Sequence, residues 1–94
     1  MRVFMILQKQ LDEIYQEGRL LATSIQRIDA KQWLPLFDVK GADGKKITCS
    51  LQIQAHDAVR TWADLRLLAE WLRDRYGVMR CTLVLNDFEM TQPG

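Results

Sequence analysis

Between Arg60 and Asn86 the spacing of apolar residues changes period once, and that change predicts a helix followed by a strand. Leu65, Leu68 and Leu72 recur at steps of three and four, Tyr76 extends the row, and Asp64, Arg66, Glu70, Arg73 and Asp74 fill the other faces. Thr61 stands where an N-cap would accept bonds from first-turn amides, and Asp64 would place negative charge at the positive end of the helix dipole. Gly77 supplies a left-handed stop. From Val78 the period becomes two, with Met79, Cys81, Leu83 and Leu85 on one side and Arg80, Thr82, Val84 and Asn86 on the other. The helix is therefore expected to cover a sheet containing this strand, with Leu68 packed on Leu51 and Leu83.

Upstream, Phe4, Leu7, Leu11 and Ile14 lie at helical spacing, and Val3, Ile6 and Tyr15 widen the stripe. This predicts a helix from about Arg2 to Glu17 that stops at Gly18. Leu20 to Ile28 mixes β-branched and apolar residues and reads as a strand, with Ala30, Lys31 and Gln32 as its turn. In the next run Trp33, Pro35, Phe37 and Val39 alternate with Leu34, Leu36, Asp38 and Lys40. Pro35 donates no ladder bond, which suggests an edge or the beginning of a strand. Asp43-Gly44 is a tight-turn pair, making Leu34 to Gln54 a hairpin. Its second arm has Ile47, Cys49, Leu51 and Ile53 facing one way and Thr48, Ser50, Gln52 and Gln54 the other.

The order is thus α-β-β-β-α-β, an antiparallel meander followed by a helical crossover to a last strand parallel to its neighbour. The expected fold is a two-layer α+β domain with both helices on one face, a single domain over residues 1–94 and a flexible tail at 87–94.

With 94 residues, 48% of them hydrophobic, the chain has room for one core of modest stability, so burial in a homodimer would be useful to it. A net charge of +1 gives little general drive toward nucleic acid or acidic lipid. Cys49 and Cys81 fall at strand positions without a disulfide framework or a secretory signal, so reduced, buried thiols in a cytoplasmic protein are expected. The apolar start VFMIL is too short to span a bilayer, and no membrane association is expected.

Cys49, His56, Asp57 and Cys81 are the only group that invites a chemical reading. One histidine with two distant cysteines and no CxxC satisfies neither a structural zinc nor a thiol nucleophile with its base. No glycine-flanked serine or phosphate-cradling loop is present. The expectation is therefore no enzyme, no metal and no cofactor, with two core thiols and a loop histidine. The basic residues are better placed: residues 31–60 carry a segment charge of +2, mostly at the hairpin turn. Lys40, Lys45, Lys46 and Arg60 are candidate phosphate contacts, although lysines at a hairpin tip also discourage edge pairing.

The helix and strand order resembles, in topology alone, the double-stranded-RNA-binding domain. RTWADLR stands where that family carries its phosphate-binding lysines, and an extra strand follows. A second resemblance runs from Trp33 to Val84: WLPLFDV, a glycine-containing turn, SLQ, RTWADL, and LRDRYGV followed by TLVL. This stretch is similar to small accessory proteins of plasmid and integrative-element partition or maintenance regions. The resemblance implies a non-enzymatic partner of DNA-segregation or transfer proteins and rests mainly on Pro35 and Arg60-Thr61-Trp62. Trp33, Trp62 and Trp71 are the candidate partner contacts. With Trp62 and Trp71 both assigned to the helix, nine positions place them on opposite sides, about 180° apart, one flanking the core and one available to a partner.

Overall fold

The computed structural model describes residues 2–53 and 58–87. Two helices and five strands follow in the order β1 (Phe4–Ile6), α1 (Gln8–Gln16), β2 (Leu20–Asp29), β3 (Gln32–Lys40), β4 (Lys46–Leu51), α2 (Leu65–Tyr76) and β5 (Thr82–Val84). All five strands join one sheet in the order β1-β4-β3-β2-β5. The meander β2-β3-β4 is antiparallel, and β5 returns through α2 to lie parallel to β2, with Ile25 opposite Leu83. The fold is a small α+β domain, as the alternation of periods predicts.

The N-terminal segment departs from the expectation. Phe4 to Ile6 form a strand parallel to β4, pairing with Cys49 to Leu51, and the helix begins only at Gln8. Val3, Phe4 and Ile6 fit a helical stripe, but in a three-residue window they fit an extended strand equally, and the edge of β4 offers them backbone partners. Leu7 then takes the N-cap position in extended conformation, and the Gln10 side chain accepts from its backbone amide at 2.8 Å.

Pro35 also sits differently. It lies inside β3, a central strand, opposite Ile25 of β2. The ladder with β4 covers Phe37 to Lys40 and stops short of Pro35, whose carbonyl accepts from Ser50 Oγ at 2.8 Å. The missing donor is tolerated because backbone pairing on that side resumes only at Trp33. There Trp33 and Trp62 exchange both backbone bonds at 2.8 Å.

The core lies between the sheet and the helices. Leu11 of α1 and Leu68, Leu72 and Tyr76 of α2 meet Ile25, Phe37, Val39, Cys49 and Leu51. Leu83 is not among them; at 44% exposure it stands at the outer edge, correcting the expected packing against Leu68. Leu34, Leu36, Gln26 and Ser50 are buried on the opposite side of the sheet. The α2 N-cap is Asp64, whose carboxylate accepts from the Arg66 amide at 2.8 Å, and not Thr61. Gly77 closes the helix at φ +62°, where it bonds back to Arg73. One more tie fastens the helices together: Arg75 grips the Asp12 carboxylate through Nε at 3.2 Å and Nη2 at 2.7 Å, and Tyr76 OH donates to the same group at 2.7 Å.

Candidate functional site

The segment after β4 determines where the candidate residues meet. Leu51 accepts from the Arg60 amide at 2.7 Å and Gln52 bridges Val59, so the chain leaves the sheet after Leu51 and comes back beside it. Arg60 is thereby delivered beside the end of β4 and Trp62 beside the start of β3. Trp62 is thus not a helical residue, and the nine-position argument that set it opposite Trp71 does not apply. The two rings are instead stacked at a tilt, with centroids 5.0 Å apart. Trp71 meets Tyr76 edge-on at 5.3 Å, and Tyr76 in turn meets Tyr15 at 5.4 Å and Phe37 at 6.0 Å.

Arg60 belongs to this aromatic row. Its guanidinium lies 4.5 Å from the Trp62 centroid and 5.2 Å from that of Trp71, and Nη1 donates to Gln8 Oε1 at 2.8 Å. A guanidinium over indole faces is held electrostatically by the ring quadrupole, more strongly where water is partly excluded. Trp33, Trp62 and Trp71 are each half-buried against the core; Trp62 and Trp71, expected on opposite sides, are stacked together, and Trp33 is tied to Trp62 through the backbone.

The hairpin lysines lie elsewhere. Lys40 and Lys46 are paired across the β3–β4 end, and Lys45 follows the turn in which Gly44 takes φ +83°. Arg60 is bonded to Leu51, the far end of β4 from Lys46, a separation of about 17 Å at the usual rise per strand residue. The structure therefore separates Arg60 from the three lysines and supplies Arg19 in its place. Arg19 Nη1 donates to the Lys40 carbonyl at 2.9 Å and pairs with Glu17 at 3.2 Å. Nothing in the sequence pattern marks Arg19, since 21 residues separate it from Lys40 and a bulge near Leu20 sets their approach.

Of the four residues that invited a chemical reading, His56 and Asp57 lie outside the described residues. Cys49 is fully buried; burial, assisted by the negative charge of Asp38, pushes its thiol pKa up. Cys81 is exposed and precedes β5 by one residue, so the expectation of two buried thiols holds for Cys49 alone. Among the described residues no cluster of three metal-ligating side chains occurs, and no helix is long and apolar enough to cross a membrane.

Sequence reasoning missed the outer edge beside β5. Met79, Leu83 and Leu85, read as the core side of a longer strand, are 75%, 44% and 60% exposed. Leu21 joins them: it is also exposed and shares a crevice with Val78 and Arg80. β5 is the outermost strand and only Thr82 to Val84 pair with β2, so Met79 and Leu85 lie outside the ladder, and Leu83, though paired, is not among the residues packed on the core. No protein-family model, no curated protein and no solved structure matches the chain.

Proposed function

We propose that this protein is a non-enzymatic interaction module that acts through protein–protein contacts and self-associates as a homodimer. The supporting observation is the edge at β5, the last strand of the sheet, whose outer side pairs with no strand among the described residues and which is bordered by the exposed apolar residues Leu21, Met79, Leu83 and Leu85. Such an edge is a template for strand pairing, and clustered apolar side chains beside it add burial on association. The opposite edge is built differently. There Phe4 is exposed in β1, but the Arg2 guanidinium covers its ring at 5.0 Å. A role as an accessory in plasmid or mobile-element maintenance follows from the sequence resemblance around Pro35 and Arg60-Thr61-Trp62 and belongs to the same proposal.

Sedimentation at micromolar concentration tests the association. A dimer that Leu83→Glu converts to monomer without changing the circular dichroism supports the β5 edge, whereas a monomer throughout removes self-association. Capture from the source cell tests the wider role. Recovery of segregation or transfer proteins by the wild type and not by Leu83→Glu supports it, and their absence removes it.

A second reading has one observation in its favour, the gathering of Arg19 with Lys40, Lys45 and Lys46 at the hairpin end. These four cations form a compact surface for nucleic-acid phosphates, tempered by Glu17 and Asp43 within it. If it binds nucleic acid, affinity falls steeply with salt, and Lys45→Ala with Lys46→Ala reduces the salt slope by about one for each phosphate no longer neutralised. Equal affinity at low and moderate salt rejects this reading.

A further inference from the structure

Between the first turn of α1 and the end of β4 lies a cavity of about 510 Å³, lined by Leu7, Gln8, Lys9, Leu51, Ile53 and Arg60, with Gln52 beside them. This is the size of ordinary small-ligand sites, which combine an apolar wall with a few convergent polar groups. Here Leu7, Leu51 and Ile53 provide the wall. The charged lining is of one sign: Lys9 and Arg60 are cationic, and no carboxylate lines the cavity among the described residues. Neither cation has an ion-pair partner among those residues. Arg60 spends one of its five guanidinium donors on Gln8 and rests its face on Trp62 and Trp71, an arrangement that fixes the group while leaving donors unused. A held, half-buried guanidinium without a carboxylate is suited to donating two parallel hydrogen bonds to a planar anion.

We propose that this cavity binds a monocarboxylate with an aliphatic body, its carboxylate on Arg60 and Lys9 and its chain against Leu7, Leu51 and Ile53. That chemistry has two sources, a free aliphatic acid and the apolar C-terminal residue of a polypeptide. The cavity lies at the β1–β4 side of the sheet, the other edge from β5, so the inference stands apart from the self-association argued above.

The test is titration of the full chain with octanoate, octylammonium, and N-acetyl-Leu-Leu as its free acid and its amide, followed by calorimetry and by the methyl resonances of Leu51 and Ile53. Saturable binding of octanoate, of the peptide acid, or of both supports the site, and which acid binds identifies the source. Octylammonium and the peptide amide are expected to bind at least about tenfold more weakly than the corresponding acid, because they lack the charge-assisted bonds. Arg60→Gln is expected to weaken the acid by a similar factor, and Lys9→Gln, at an exposed position outside the aromatic row, provides a second variant if Arg60→Gln does not fold. Absence of saturation with both acids overturns the proposal. So does equal binding of octylammonium, or unchanged acid affinity in a folded variant lacking both cations.

Discussion

At the scale of single residues, the two cysteines show how position in the sheet sets reactivity. Thiol–disulfide exchange requires access and a thiolate, and Cys49 lacks both: it is fully buried and its pKa is raised. Cys81 is exposed. Native protein should therefore titrate one thiol rapidly with a disulfide reagent and release the second only in denaturant; two fast thiols would show that the β4 core opens readily. Asp12 supports a prediction of a different kind. The hydrogen bond from Arg75 is the largest influence and holds its carboxyl below the usual value; burial pushes the other way, and the bond from Tyr76 OH and the charge of Arg75 add to the lowering. A depressed folded-state pKa means stability that is present above the unfolded value of about 3.9 and is lost as pH falls through the folded one. Asp12→Asn should thus lower the melting temperature at neutral pH and flatten its acid limb. A variant with an unchanged acid limb would show that the Arg75 grip contributes nothing in solution.

At the scale of elements, α2 carries the clearest expectation. Leu68 is fully buried between Asp64, which caps the helix, and Gly77, which ends it, whereas Glu70 is exposed. Truncating Leu68 to alanine removes transfer free energy and leaves a cavity, together about 2–5 kcal/mol, a large share of the roughly 5–15 kcal/mol of a typical domain. At about 4–8 °C per kcal/mol for a chain of this size, Leu68→Ala should melt far earlier than wild type and Glu70→Ala close to it. Equal small shifts would mean that α2 presents a different face to the sheet. The α2 stripe was legible because Leu65, Leu68, Leu72 and Tyr76 span three turns, long enough for period to decide type. Phe4 to Ile6 were not, since three apolar residues ahead of a helix fit either period and only the β4 edge selects the strand. Trp62 was misplaced for a related reason. Thr61 and Asp64 are both good caps, and the choice between them depends on the backbone bridge to Trp33, a pairing across 29 residues that no local pattern records.

At the scale of the whole molecule, the sheet is strong in the middle and thin at its margins, and this ties the fold to the proposed association. β2 and β3 run for ten and nine residues and share the longest ladder, whereas β1 and β5 have three residues each. The candidate surfaces follow the same division. The aromatic row joins the two helices to β3 through Phe37 and the Trp33–Trp62 bridge, and the apolar residues Met79, Leu83 and Leu85 sit at a margin whose own pairing is brief. Amide exchange reports local opening, with free energies from near zero at frayed edges up to the global value in the core. In dilute protein the β2–β3 amides should therefore exchange slowest and those of Thr82 to Val84 among the fastest strand amides. Association through β5 would cover that edge by mass action, so its protection should rise with protein concentration while that of β1, on the far side, stays constant. Leu83→Glu should abolish the concentration dependence at β5 without altering the β2–β3 amides. If β1 and β5 instead became protected together, the association would be general and not seated at the β5 edge; if neither changed up to millimolar concentration, the exposed apolar residues beside β5 would have no second copy as their partner.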